Sequence, residues 1–161
     1  MQLEAERATE LLKLVEAQRD EIVADACRGL QRAHLAHYEA DGPDACSDRL
    51  CRLLDLVLES VRERSLVPVV QHAERVAWQR YEAGFTFHEV HTAFNVLEEA
   101  IWKCVVGTAP GEDVVALLSL TGSVFGAAKE ALAAEYVSLA SKQHMLSLNL
   151  TRLFEGIEGV D

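Results

Sequence analysis

The stretch GFTFHEVHTAF, residues 84–94, places two histidines and a glutamate within four positions. Imidazole and carboxylate groups are common ligands of zinc and iron, so the stretch raises the question of a metal site. The zinc-protease pattern H-E-x-x-H needs histidines four residues apart, whereas His88 and His91 are three apart. The di-iron pattern needs a glutamate three residues before a histidine, and none of the six histidines has one. We therefore predict no metal site here.

The same residues have the pattern of a helix start. Thr86 and Glu89 match the capping box S/T-x-x-E, in which the carboxylate accepts a hydrogen bond from the backbone N–H of the cap residue. Phe85 before the cap and Val90 at the fourth helical position match a hydrophobic staple. Glu89 is then occupied by the cap, which competes with any role as a ligand or a catalytic base.

Haem is the alternative cofactor to consider. A globin-type site needs one histidine that faces an apolar pocket, and His72, His88 and His91 qualify by their placement on helices. No further ligation motif accompanies them. We predict no cofactor and keep haem as an alternative.

A row of polar and aromatic residues continues from His91 along the same predicted helix. His91, Asn95, Glu98 and Trp102 recur at steps of three and four residues beside an apolar stripe. Such a row can line a ligand cavity or a partner surface, and together with Trp78 it forms our predicted ligand-binding site. The alternative is the ordinary flank of an amphipathic helix.

The composition points to a helical protein without catalytic signatures. Half of the 161 residues are hydrophobic, only 6% are aromatic, and three prolines interrupt the chain. No segment alternates with a period of two, and there is no nucleophile elbow or phosphate-binding glycine loop. We predict an all-α bundle of five to six helices with a long C-terminal helix, packed either as a simple bundle or in globin fashion, and no enzymatic activity.

The charge and the termini exclude several other classes. A net charge of −11 repels phosphate backbones, which argues against nucleic-acid binding. The N-terminus is charged from its fourth residue, so we expect no secretory signal. The longest uncharged run, residues 114–128, is shorter than a membrane-spanning helix, so no membrane insertion is predicted. The four cysteines lack CxxC spacing and are interpreted as reduced thiols of a cytoplasmic protein.

The helices can be placed along the chain from apolar periodicity and from capping residues. The predicted helices run from Leu3 to Tyr38, from an Asp44 cap to Arg64, from Leu66 to Ala83, from the Thr86 cap to Gly107, and from Glu112 past Leu146, with a shorter helical stretch SLNLTRLFEGI after it. The fifth helix carries Gly122 and Gly126 four residues apart, with Ser119 nearby. Such small residues allow close helix contact, and we predict an interface there.

The segment AERVAWQRYEAGFTFHEVHTAFNVLEEAIWKCV, residues 73–105, resembles the all-helical N-terminal sensory domain of bacterial RsbR-type proteins, the RsbRD N-terminal domain. Its pattern is a helix that ends in a glycine, an apolar-rich cap, and a helix with paired apolar residues. The resemblance implies a domain that dimerises and is sometimes globin-like without haem. Such domains precede output modules such as STAS domains, histidine kinases, phosphatases or cyclases, and pass a signal through their C-terminal helix.

The resemblance gives the functional expectation. Residues 1–146 are expected to form a non-catalytic sensor and dimerisation domain of a cytoplasmic signal-transduction protein. Residues 147–161 are expected to form a helical extension and the start of a linker to an output domain. The expected partners are a second copy of the chain and the output domain or a partner protein. The two alternatives are a haem-binding gas sensor and an acidic adaptor that binds another protein.

Overall fold

The computed structural model describes residues 2–155, with side chains placed at residues 4–148, 150 and 152. All regular secondary structure within residues 2–155 is helical, which confirms the all-α prediction and the long C-terminal helix. The seven helices of this range are α1 (Gln2–Ala17), α2 (Arg19–Ala33), α3 (Ala36–Asp41), α4 (Pro43–Glu63), α5 (Val67–Glu82), α6 (Phe87–Thr108) and α7 (Val114–Glu155).

The single first helix predicted over residues 3–38 is wrong, because this segment forms α1, α2 and the first half of α3. Gln18, with φ −118° and ψ 21°, separates α1 from α2, and His34 ends α2 with a positive φ of 50°. Neither residue is a glycine or a proline, so no strong local signal marks the breaks. The break at Gln18 allows α1 to pack on α4, α6 and α7 while α2 packs chiefly on α6. Tertiary packing therefore decides the helix count here, which is seven over residues 2–155 rather than five to six.

Gly29 lies inside α2 without interrupting the helix. A Cβ atom at this position would lie 2.9 Å from Cγ1 of Val96 on α6. The glycine thus allows the backbone of α2 to approach α6 closely, and these two helices form one of the largest contacts in the fold.

The predicted Asp44 cap of α4 is also wrong. The N-cap residue is Gly42, with φ 87°, and Pro43 is the first helical residue. Proline begins a helix readily because its φ is already helical and its missing N–H would have no partner in the first turn. Asp44 lies in that first turn, where its negative charge suits the helix dipole.

The end of α5 is a Schellman motif, as the Gly84 stop signal predicts. Gly84 has a φ of 85°. Its N–H donates to the carbonyl of Tyr81, and the N–H of Phe85 donates to the carbonyl of Arg80. This motif turns the chain and delivers Phe85 into the core, immediately before the cap of α6.

The core extends along the inward faces of the helices and includes one face of α7. Leu117, Phe125 and Leu132 of α7 are fully buried, and the pair α5–α7 forms the most extensive helix–helix contact. Residues Val114–Leu148 are long and apolar enough to cross a membrane by length and composition alone. Only 28% of the apolar 18-residue window in this segment is buried in the fold, so packing into the core accounts for a minor part of that apolar character.

Helix α7 continues through residue 146 to Glu155, so the stretch predicted as a separate short helix is the last part of α7 as far as residue 155. The division of the chain at residue 146 stays a prediction. The start of a linker is predicted at the end of residues 147–161, and residues 156–161 of that range lie outside the described residues.

Candidate functional site

The capping box of α6 is present and has an additional partner that the sequence did not indicate. Thr86 Oγ1 accepts a hydrogen bond from the N–H of Glu89 at 3.2 Å, and the Glu89 carboxylate accepts from the N–H of Thr86 at 2.9 Å. The same carboxylate accepts from the backbone N–H of His37 at 3.0 Å and lies 2.9 Å from Nδ1 of that ring. Glu89 therefore caps α6 and also ties the start of α3 to it across 52 residues of sequence.

Glu89 remains ionised in this position. Burial by itself would raise its pKa, but the hydrogen bonds from His37 and Thr86 outweigh burial and lower the pKa below its ordinary value. Phe85 and Val90, the predicted staple pair, are both buried. The HEVH stretch thus supplies a structural joint between α3, the α5–α6 loop and α6.

The two histidines of this stretch point to different surroundings. His88 is exposed, whereas Nδ1 of the half-buried His91 lies 3.1 Å from the side-chain amide of Asn95. Partial burial and the nearby Lys129 lower the pKa of His91. Within the side chains that the structure places, no group of three His, Cys, Asp or Glu residues could hold a metal ion.

The row predicted on α6 forms a polar network with α7. Lys129 Nζ donates to the Glu98 carboxylate at 2.5 Å and to Asn95 Oδ1 at 3.1 Å. Glu98 is only 7% exposed. The ion pair therefore neutralises a buried carboxylate and joins α6 to α7, and the chain His91–Asn95–Lys129–Glu98 spans the helix interface.

The two tryptophans lie on different helices and are both partly open to solvent. Trp102 of α6 is 42% exposed and Trp78 of α5 is 54% exposed. Neither the tryptophans nor the polar row line the cleft between α4 and α5 that is described next. A role in ligand binding stays a prediction for the five residues named from the sequence, which are His91, Asn95, Glu98, Trp102 and Trp78.

A cleft of about 380 Å³ lies between α4 and α5 and reaches α3 and α6 at its ends. We call it the arginine cleft, because its lining contains four arginines. The basic and potentially basic lining residues are Arg49, Arg52, His72, Arg75 and Arg80. The apolar lining residues are Leu50, Leu53, Val76, Ala93 and Phe94.

Aromatic rings hold two of these arginines in place. The guanidinium carbons of Arg49 and Arg80 each lie 5.5 Å from the centroid of the Phe85 ring, and that of Arg49 also lies 5.7 Å from the Tyr38 ring. These distances are within the range of cation–π attraction. Phe85, which the Schellman motif and the α6 cap fix in the core, thus positions both cations.

The hydrogen bonding of these two arginines is incomplete. Arg49 forms an ion pair with Asp41 at 2.6 Å. However, Arg49 Nη1 and Arg80 Nε are buried and have no hydrogen-bond partner in the described structure. Buried guanidinium nitrogens are normally satisfied, so two unpartnered atoms at one cleft require an explanation.

Burial in the cleft also shifts the pKa values of two other side chains, His72 and Tyr38. Burial, together with Arg75, Arg52 and Arg80, lowers the pKa of His72 to about 4, so this imidazole is neutral at pH 7. Burial raises the pKa of Tyr38 to about 12, so its hydroxyl keeps its proton beside Arg80.

Sequence reasoning missed the arginine cleft. The signal was available in part, since Arg49 and Arg52 are three apart on one predicted helix and Arg75 and Arg80 are five apart on the next. In a chain with only 15 basic residues and a net charge of −11, such clusters on consecutive helices are notable. Their convergence depends on the packing of α4 against α5, which the spacing within each helix does not reveal.

The predicted interface residues lie on the outer side of α7. Ser119 and Gly126 are exposed and Gly122 is partly exposed. A Cβ atom added at Gly122 or Gly126 would meet nothing within 4 Å. The small residues therefore face open space within this chain, rather than a close contact between its own helices.

No curated protein matches the chain significantly. The profile of one family, described as the RsbT co-antagonist protein RsbRD N-terminal domain, matches residues 13–138. The matched range begins within α1, contains α2 to α6 whole, and ends in α7 beyond its buried residues Leu132 and Tyr136. It therefore contains the Glu89 joint, the arginine cleft and the small residues Ser119, Gly122 and Gly126 of α7, which we call the glycine patch. The chain belongs to the RsbRD N-terminal domain family.

Proposed function

We propose that this chain is a non-catalytic sensor and dimerisation domain of a cytoplasmic bacterial signal-transduction protein, and that α7 carries its signal to an output domain. The proposal is supported mainly by α7, which is partly buried in its first half and exposed further along. One face of its first half is built into the core, and its side chains from residue 141 to 148 are all exposed. A helix that begins in the core and continues beyond it is suited to transmit a change in packing.

Direct contacts connect α7 with the α5–α6 loop and with the helix ends on either side of it. The Tyr136 hydroxyl donates to the carbonyl of Phe85 at 3.1 Å, and the Tyr81 hydroxyl donates to Gln143. Tyr136 also packs edge-on against the rings of Tyr81 and Phe87. A shift of the loop would therefore move the point at which α7 leaves the core.

The outer side of α7 supports dimerisation. In addition to the glycine patch, Val115 is 74% exposed and Val137 is 67% exposed. Small and apolar residues on an exposed helix face support the docking of a second helix, and a second copy of this chain supplies the same face.

Native mass spectrometry of the purified protein tests the dimer. The expected mass is twice the 17.8 kDa of the chain. Gly126→Leu should convert the dimer to monomer and leave the fold intact, because the added side chain has free space within the chain. Gln71→Leu, at an exposed position of α5, is the matched control and should remain dimeric.

The outcomes separate the proposal from its alternatives. A wild-type monomer, or a Gly126→Leu dimer as stable as the wild-type dimer, would remove α7 as the interface. A mass excess that matches haem would instead favour the gas-sensor alternative, and would direct attention to His72 and His91. Signal transmission is tested in a fusion of the chain to its output module, where Tyr136→Phe should change output without changing the oligomeric state.

A further inference from the structure

We propose that the arginine cleft binds a small organic anion that combines a carboxylate or phosphate group with an apolar body. The proposal deepens the sensory role proposed above, and rests on that role only where the ligand is taken as a signal. Binding itself is a property of the cleft and can be measured separately.

The charge of the cleft is opposite to that of the protein. Four guanidinium groups line it in a chain whose net charge is −11. The carboxylates near it are Asp48 in the lining and Asp41, paired with Arg49. Four positive groups less these two carboxylates leave a surplus of two positive charges. Like charges repel when they are brought together, so a bound anion would offset an unfavourable local arrangement.

The unpartnered nitrogens indicate how the anion is held. Arg49 Nη1 and Arg80 Nε are buried without acceptors, and Phe85 fixes both guanidinium groups from the side. A planar guanidinium donates two parallel hydrogen bonds to a carboxylate or phosphate. Donors held in place before binding lose little conformational entropy when the anion arrives. Neutral His72 can donate one further hydrogen bond without adding charge.

The remaining lining selects for an apolar body. Leu53, Val76 and Phe94 contribute apolar surface beside the arginines. The volume of about 380 Å³ lies in the range of small-molecule sites. An inorganic anion would leave that apolar surface exposed to water, whereas an aromatic or short aliphatic anion would cover it.

Phenyl phosphate is a suitable probe, because it carries a phosphate on an apolar ring. Titration of the full chain is followed by NMR at the arginine Nε–Hε signals, which report directly on guanidinium hydrogen bonding. We expect saturable shifts of the Arg49 and Arg80 signals. Inorganic phosphate and benzyl alcohol, each carrying half of the probe's chemistry, should bind at least about tenfold more weakly.

The variants use arginines at the exposed rim, so that the fold is preserved. Arg52→Gln and Arg75→Gln should each weaken phenyl phosphate binding by about tenfold. Arg32→Gln, an exposed arginine at the end of α2, is the matched control and should leave binding unchanged. Far-UV circular dichroism checks that each variant remains helical.

Three results would overturn the proposal. The first is the absence of saturable shifts at Arg49 and Arg80 at millimolar phenyl phosphate. The second is equal weakening by Arg75→Gln and by Arg32→Gln, which would indicate general charge attraction. The third is an affinity for inorganic phosphate equal to that for phenyl phosphate, which would show that the apolar part of the ligand contributes nothing to binding. Loss of the dimer with intact binding would leave this inference standing and remove only the proposed dimerisation.

Discussion

Replacement of Glu89 by alanine tests the joint between α3 and α6. Glu89 is 6% exposed, and its carboxylate accepts hydrogen bonds from the backbone N–H groups of His37 and Thr86. Alanine removes both acceptors and leaves the two N–H groups without a partner. Glu89→Gln is a more conservative change, but it replaces one carboxylate oxygen by an NH₂ group, which would then face an N–H donor instead of accepting from it.

The expected loss follows from the individual contacts. Loss of a helix cap costs about 1 kcal/mol. Loss of an ionised acceptor for the N–H of His37 costs about 1.5–3 kcal/mol, partly offset because a carboxylate no longer has to be buried. We expect Glu89→Ala to lower the free energy of unfolding by about 3 kcal/mol. In a chain of this size each kcal/mol corresponds to about 2–4 °C, so the Tm should fall by about 10 °C.

Urea denaturation followed by circular dichroism measures this loss. Thr86→Ala removes the reciprocal cap alone and should cost about 1 kcal/mol. Glu74→Ala, at an exposed position of α5, controls for loss of a surface carboxylate. Equal losses for Glu89→Ala and Thr86→Ala would refute the link to His37, since the cap alone would then explain the effect.

The same joint has a predictable pH dependence. The pKa of Glu89 in the folded state is lowered below the ordinary 4.5. The unfolded chain therefore binds its proton first, and the stabilisation is complete above pH 4.5 and lost as the pH falls through the folded pKa. The difference in stability between the wild type and Glu89→Ala should accordingly shrink in acid. A difference that stays constant from pH 7 to pH 3 would contradict an ionised Glu89.

The remaining predictions concern the cleft and two helix contacts. The pKa of His72 is about 4 in the folded state, against an ordinary value of 6.5, so the unfolded state takes up the proton first as the pH falls. The free energy of unfolding should therefore fall by about 2 kcal/mol between pH 6.5 and pH 4, after allowance for solvent screening. In His72→Gln this dependence of stability on pH should be weaker. Gly29→Ala should destabilise by about 1–2 kcal/mol, because its Cβ would lie 2.9 Å from Val96 Cγ1, and Val96→Ala should relieve the loss in a double-mutant cycle. Lys129→Met should cost about 2 kcal/mol by leaving buried Glu98 unpaired, and a second change of Glu98 to Gln should recover part of it.

The elements that the sequence predicts well are those with strong local signals. The cap at Thr86, the stop at Gly84 and the apolar stripe of α6 are set within a few residues, because each depends on local hydrogen bonds or on helical periodicity. The break at Gln18 has no such signal. A helix with one continuous apolar stripe can be straight or bent, and only its partners decide which.

The sequence by itself therefore determined an all-helical domain, the end of α5, the start of α6, and the place of Glu89 in a capping box. Tertiary structure alone decided that Glu89 also holds His37, and that arginines from α4 and α5 converge around Phe85. The physical reason is the range of the interactions. Capping and periodicity act over one or two turns of helix, whereas the joint and the cleft depend on the angle and register at which separate helices pack.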